Sequence, residues 1–434
     1  MRYYSINHQS PVVDFKTATI NGQAPDKGLY FPEFIPHLPE SFFKEIENTS
    51  NEEIAYQVIK PYVGDCIPSE VLYQIVDDTI NFPIPLVSLN DRISSLEMYH
   101  GNTLAFKDVG ARFMSRCLGY FVNGSPKKVT VLVATSGDTG GAVADGFYGV
   151  EGIDVVILYP SGKVSAVQEK QLTTLGKNIH ALEVKGTFDD CQQLVKTAFA
   201  DKTITTELFL TSANSINVAR WLPQQFFYFL AYKQWVDKST SPVISVPSGN
   251  FGNICSGLLA MKSGLPVQHF IAACNANDVV PKYMSTFNYS PQKAVATISN
   301  AMDVGDPSNF VRILELFEKE APALSAVFSS VSFDDEETRS VMKRVYNDYG
   351  YILDPHGAIG FIALENYLNQ HPGQKGFFAE TAHPIKFFDV VEPVIGTQID
   401  LPQSIDGIMQ KEKRATIINS SYTDLSAYLM QLAL

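Results

Sequence analysis

The chain changes its hydrophobic rhythm once, near residue 127. Before about residue 90, apolar positions come in short bursts broken by prolines at Pro11, Pro25, Pro32, Pro36, Pro39, Pro61, Pro68, Pro83 and Pro85. Short amphipathic helices fit between these breaks, around residues 42–48 and 68–79. Residues 1–90 therefore read as a small, mainly helical N-terminal domain, with Pro83-Ile84-Pro85 as its exit. From about 127 onward, apolar runs alternate with helical periods. Runs at 129–135, 153–159, 179–184, 208–211, 243–246, 269–273 and 377–381 predict strands. Helices are predicted over 142–148, 164–175, 188–199, 220–236, 252–261 and 334–349, with Asp354 and Pro355 suited to cap and open another. Residues 226–232 are apolar nearly all round, which marks a buried helix. Near-continuous apolar strands alternating with helices predict an α/β fold, its parallel sheet covered by helices on both faces. The tail from 391 ends in an apolar helix over 425–434 that packs back on the body.

Composition narrows the classes. The 434 residues carry a net charge of −13, which disfavours a general nucleic-acid or anionic-membrane surface. Five scattered cysteines without a CxxC pair suit small buried residues in a reducing compartment. Residues 1–8 lack the apolar centre of a signal peptide, and no run of 18 apolar residues occurs. A soluble, cytoplasmic protein is expected. The histidines show no metal-ligand spacing and there is no GxSxG elbow, so neither a metal centre nor serine-hydrolase chemistry is expected.

Chemistry concentrates in loops that follow predicted strands. Ser136-Gly137-Asp138-Thr139-Gly140-Gly141 links a strand to a helix, where open amides bind carboxylate or phosphate. It fails the GxGxxG dinucleotide fingerprint at Thr139, and Ser125-Pro126 after Gly124 rule out a nucleotide phosphate loop. Ser248-Gly249-Asn250-Phe251-Gly252-Asn253 repeats the design after another strand. Asn214-Ser215-Ile216-Asn217-Val218-Ala219-Arg220 is a third polar cluster, with Arg220 at a helix start that a bound anion would favour and solvent exposure would equally explain. Thr381-Ala382-His383-Pro384 closes the set, with Thr381 suited either to a heterocyclic nitrogen or to a helix N-cap. Lys107 lies among Gly101, Leu104, Ala105 and Phe106. Buried there, its amine would be shifted toward the neutral, nucleophilic form; as a surface lysine it would pair with Asp108. A candidate Schiff-base lysine with two anion cradles points to pyridoxal phosphate and an anionic amino acid.

The runs His100–Asp108, Ser136–Gly140, Asn214–Arg220, Gly249–Asn253 and Thr381–Pro384, in this order, closely resemble threonine synthases of the longer microbial form. These are fold type II pyridoxal phosphate enzymes. The resemblance implies two open, twisted, mostly parallel sheets covered by helices, beside the N-terminal domain. It divides the chain into 1–90, a large cofactor domain (91–125 and 215–390), a small α/β domain (126–214) and a C-terminal extension (391–434). Lys107 would carry the cofactor, and Gly249, Asn250, Phe251, Gly252 and Asn253 would cradle its phosphate through amides and Asn side chains. Thr381 would face its pyridine nitrogen. Ser136, Gly137 and Thr139 would take the substrate carboxylate; Asn214, Ser215, Asn217 and Arg220 the substrate phosphate. Asp138 stands where many relatives carry Asn facing the cofactor's phenolic oxygen. A carboxylate there repels that oxygen unless one is protonated or the two are bridged. The implied reaction turns O-phospho-L-homoserine and water into L-threonine and phosphate in a monomer or small homo-oligomer. A dehydratase, the nearest rival, needs no second phosphate site; a non-catalytic homologue would not need Lys107; a nicotinamide dehydrogenase lacks its fingerprint.

Overall fold

The computed structural model describes residues 1–125 and 127–432, so Pro126 and the last two residues of the predicted terminal helix lie outside it. In chain order the strands are β1 (Arg2–Ser5), β2 (Val13–Asp14), β3 (Tyr30–Pro32), β4 (Leu86–Ser88), β5 (Ile93–Glu97), β6 (Val129–Ala134) and β7 (Ile153–Pro160). They continue as β8 (Ile179–Lys185), β9 (Phe209–Thr211), β10 (Val243–Pro247), β11 (His269–Cys274), β12 (Phe328–Ser332), β13 (Gly376–Glu380) and β14 (Thr416–Asn419). Two sheets dominate. The larger has the order β12-β11-β10-β13-β5-β4 and is parallel except for the β4 edge. The smaller, β14-β8-β7-β6-β9, is parallel throughout. The α/β architecture expected of the resemblance is the one found.

Burial explains why these segments are strands. Every residue of β6, β7, β10, β11 and β13 is buried, as strands covered on both faces must be. Between the sheets' helices runs one continuous core containing Trp221, Phe226, Phe227 and Tyr228.

Three features depart from the sequence reading. The N-terminal region holds, besides its helices, an antiparallel sheet β2-β1-β3 whose strands have two to four residues, too short to show a period. Pro61 does not break the chain but sits in the last turn of the helix Asn51–Val63, where burial of Ile54, Val58, Ile59 and Tyr62 outweighs one lost amide donor. The aromatic stretch is not one helix. It divides into Val218–Trp221, a 3-10 turn Leu222–Gln224 containing Pro223, and Gln225–Gln234.

The C-terminal stretch does more than cover the surface. Strand β14 adds to the small sheet beside β8, with Thr416 opposite Leu182 and Asn419 opposite Lys185. The closing helix Tyr422–Leu432 buries Leu425 and Leu429 in the cluster formed with Leu182, Val184 and Leu194. No helix among the described residues is long and apolar enough to cross a membrane, and the five cysteines are unpaired thiols.

Candidate active site

The loops after β6, β9, β10 and β13 all leave the C-terminal ends of parallel strands, the edge where open α/β sheets bind ligands. Lys107 is brought to that edge by a short antiparallel pairing. Phe106 N donates to Thr381 O (2.9 Å), His383 N donates to Leu104 O (3.0 Å), and Ala105 bridges Ala382. Leu104 takes a left-handed φ of 57°, a strained choice for a leucine that turns the chain into the helix Lys107–Val122. Asp108 does not pair with Lys107. Its buried carboxylate accepts from Thr103 N (2.9 Å) and from the Thr103 hydroxyl. Gly101 makes room for it, since a Cβ there would lie 2.3 Å from Asp108 Oδ2. Burial pushes the Asp108 carboxyl up to about 6 despite those hydrogen bonds.

The Lys107 side chain is 18% exposed, and its Nζ stands 3.7 Å from Asp138 Oδ2 and 5.7 Å from the Phe106 ring centre. Burial lowers the pKa of this amine, against the pull of Asp138 and with the help of the Lys386 and Arg220 charges. A reachable lysine shifted toward neutrality is what a carbonyl cofactor requires.

Asp138 opens the helix Asp138–Phe147, after Gly137 at φ 140°. Thr135 Oγ1 accepts from Gly137 N (3.0 Å) and Gly140 N (2.9 Å). The amides of Asp138 and Thr139, in the first turn, have no intrahelical acceptor and suit a carboxylate. Ser136 and Thr139 are the partly exposed residues of this loop. The Asp138 carboxylate is bridged. Lys386 Nζ lies 2.7 Å from Oδ1, and Gln168 Nε2 donates to the same oxygen at 2.9 Å. Burial alone would raise its pKa, but the Lys386 and Lys107 ammoniums hold it far below the usual carboxylate range.

Arg220 is not turned to solvent. It is 2% exposed, its Nη1 donates to Ala213 O, and its Nε has no hydrogen-bond partner among the described residues. Gly110, one turn beyond Lys107, lets the two helices touch: a Cβ there would sit 3.0 Å from Arg220 Nε. Burial lowers the guanidinium to about 10. A buried cation with an unsatisfied donor lacks an anion. Ser215 Oγ accepts from Asn250 Nδ2 (2.5 Å) and Asn309 Nδ2 (3.3 Å), which leaves its own proton free to donate. Asn214 turns the loop, its carbonyl accepting from Asn217 N (3.1 Å). Asn217 is committed to the protein: Oδ1 caps Ala219 N (2.9 Å) and Nδ2 donates to Thr19 O (2.8 Å).

The loop after β10 crosses Phe251 at φ 61°, into the helix Gly252–Lys262. Gly249 packs against Met302, whose Cα would be 2.5 Å from an added Cβ. The Asn side chains of this loop are partly engaged within the protein, while Asn253 Nδ2 faces only Met98 Sδ at 4.0 Å and keeps its donors for a ligand. Asn250 Oδ1 accepts from Ser308 N (2.7 Å) while its Nδ2 is on Ser215, and Asn253 Oδ1 accepts from Tyr228 OH (2.8 Å). Backbone amides of the first helical turn add further donors suited to an anion. Thr381 is not an N-cap; His383 takes that role, with Nδ1 accepting from Ile385 N (3.1 Å).

Sequence reasoning missed Lys386, Gln168, Asn309 and Arg312. Arg312, fully buried, donates to Tyr30 O (3.0 Å), Ile216 O (2.6 Å) and Asn309 Oδ1 (2.8 Å), and stacks 4.4 Å from the Trp221 ring. It braces the 214–217 loop from behind. Only Lys386 carried a signal, two residues beyond the Thr381–Pro384 run.

A shifted lysine, open helix-start amides and a buried guanidinium with an orphaned Nε fit pyridoxal phosphate and a second anion. The family described as pyridoxal-phosphate dependent enzyme matches residues 85–376. Those described as threonine synthase N terminus and threonine synthase, C-terminal match 2–80 and 357–429. The chain is thus a pyridoxal phosphate-dependent enzyme. Threonine synthase of Haemophilus influenzae is 42% identical over 99% of this chain and all of its own, and that of Escherichia coli 42% identical over 93% and 94%. The crystal structure of the E. coli threonine synthase superposes with TM-score 0.92 at 39% identity, covering 100% of both chains. Threonine synthase of Brucella melitensis, solved with pyridoxal phosphate bound, does so with TM-score 0.94 at 32% identity, covering 100% of this chain and 99% of its own. The chain belongs to the threonine synthase family.

Proposed function

We propose that the chain converts O-phospho-L-homoserine and water into L-threonine and phosphate, with Lys107 as cofactor-bearing residue and base. Pyridoxal phosphate, when bound, supplies the electron sink that makes the substrate Cα–H and Cβ–H bonds acidic. Lys107 would hold it through the amine, the loop Gly249, Asn250, Phe251, Gly252 and Asn253 would receive its phosphate, and Thr381 would face its ring nitrogen. The amides of Asp138 and Thr139, with Ser136 and Gly137, orient the substrate carboxylate. With its amine free, Lys107 would remove the Cα proton. A Cβ proton leaves next, and phosphate departs from Cγ toward Arg220 and the Ser215 hydroxyl. A proton returns to Cγ, water adds at Cβ, and Lys107 gives the proton back at Cα. Asn214 and Asn217 shape the loop that presents Ser215 and Arg220. The unpaired thiols suit a reducing compartment such as the cytoplasm.

The observation that carries this reading is Arg220, buried against the helix that begins at Lys107 with Nε unpaired. A dehydratase has no use for a second anion site. Purified protein incubated with phosphohomoserine is expected to release phosphate and threonine without ammonia, and borohydride is expected to fix the cofactor on the peptide containing Lys107. Ammonia as product, or a label on another lysine, overturns the assignment.

A further inference from the structure

Lys386 is a fully buried lysine with no part in the steps above. It lies in the 3-10 turn Pro384–Phe387, just past the segment that pairs with the Lys107 loop. Its ammonium has two partners, Thr103 O at 2.8 Å and Asp138 Oδ1 at 2.7 Å. Thr103 O also accepts from Gln171 Nε2 (3.0 Å). Lys386 therefore joins the loop before Lys107 to the first turn of a small-sheet helix. Asp138 in turn offers its other oxygen to Lys107, 3.7 Å away. The carboxylate lies between two ammonium groups, one oxygen toward each.

We propose that Lys386 is a positioning residue of the reaction: it clamps Asp138 beside Lys107 and offsets that carboxylate's hold on the Lys107 proton. The proposal rests on the assignment of Lys107 as the cofactor-bearing lysine. A bare buried carboxylate at this distance would keep Lys107 as an ammonium, unable to attack an aldehyde. Paired with Lys386, the same carboxylate presents a neutral ion pair to Lys107. The other charge facing Lys107 is Arg220, which also disfavours the ammonium; Asp108 is turned away onto Thr103. Gln168 completes the clamp, resting over Gly137, where a Cβ would be 2.4 Å from Gln168 Cδ. The bridge also answers the charge problem that Asp138 poses beside a phenolic oxygen, since a carboxylate neutralised by its own cation no longer repels it.

The test follows the Lys107 amine alone. The full-length chain, stripped of cofactor, is acetylated competitively across pH, and the Lys107 peptide is quantified by mass spectrometry. Lys386→Met is expected to raise the Lys107 midpoint by about one pH unit, a tenfold change in its acid constant. Asp138→Asn is expected to lower it, and the double variant to fall between the two singles. An unchanged or lowered midpoint in folded Lys386→Met overturns the proposal, because a purely structural lysine would not shift the amine in this direction. Should Lys386→Met not fold, Lys386→Gln is measured in its place, where an unchanged or lowered midpoint overturns the proposal and a raised one supports it. Borohydride labelling of a lysine other than Lys107 would instead defeat the cofactor assignment, an outcome separate from either midpoint result.

Discussion

Replacing Gly249 with alanine measures how tightly the proposed phosphate cradle is built. The added Cβ would stand 2.5 Å from Met302 Cα and 3.2 Å from Ala301 O and Met302 C. Ordinary contact begins near 3.4 Å, so loop and wall must part by roughly 1 Å, an overpacking that costs about 1–3 kcal/mol. The wall cannot easily retreat. Ala301 N donates to His356 Nε2 (3.2 Å), and His356 is tied to Asp354, the N-cap of the helix Pro355–Gln370. The loop after β10 is the softer party, and its amides are displaced. If all of that cost falls on the cofactor, pyridoxal phosphate binds about 5- to 150-fold more weakly. Absorbance titration of the stripped chain reads the affinity, and urea unfolding without cofactor reads the stability. A variant whose cofactor affinity stays within about twofold of wild type while its stability falls would refute the reasoning, since the strain would lie away from the phosphate.

Arg220→Lys keeps a charge but loses the orphaned Nε, and is expected to raise KM for phosphohomoserine about 10- to 100-fold while leaving the cofactor absorbance intact; steady-state kinetics would show an unchanged KM if Arg220 does not meet the substrate. Arg312→Met removes three donated hydrogen bonds from buried acceptors and is expected to cost about 3–5 kcal/mol in urea unfolding. Leu425→Ala should cost about 2–5 kcal/mol if the terminal helix is part of the small lobe's core, and under about 1 kcal/mol if it merely rests on it. His269, stacked on Tyr367 and held near pKa 4 by burial, is neutral when folded. Its folded pKa lies below the unfolded value near 6.5, so the stability it contributes is full above that value and is lost as pH falls toward 4. Urea midpoints of His269→Gln should therefore fall less than those of wild type between pH 6.5 and 4.

Much of the fold was legible because parallel strands buried on both faces leave uninterrupted apolar runs, as in Ile153–Pro160 and His269–Cys274. Each site loop was legible for a related reason: glycine and small polar residues follow such a run directly. The rest had no local signature. Strands of two to four residues cannot declare a period, and β14, although a strand by residue type, gains its place only through pairing with β8 some 230 residues earlier. The internal bonds of Asn217 and Asn250 were invisible because an amide beside an anion loop reads as a ligand group whether or not the protein uses its donors and acceptors. Only the partners Thr19, Ser215 and Ser308, distant in sequence, reveal that.

Charge placement ties the two sheets' loops into one site. The whole chain is acidic, at −13, yet the charges that act most strongly on Lys107 are Asp138, Lys386 and Arg220, two cations to one anion. Lys386 and Asp138 cancel, and Arg220 makes no ion pair among the described residues: the Asp108 carboxylate, which acts on it through space, is hydrogen-bonded to Thr103. What remains is a buried Nε donor without an acceptor among the described residues, a demand that negative surface charge, screened by water, does not relieve. A dianionic phosphate relieves it. If that demand is met when phosphate enters and returns when it leaves, the buried guanidinium proposed to receive the substrate phosphate also favours rebinding of the product. The chain is then expected to be inhibited competitively by inorganic phosphate, and loss of that inhibition in Arg220→Lys, against its persistence, decides whether Arg220 is the phosphate's counter-ion.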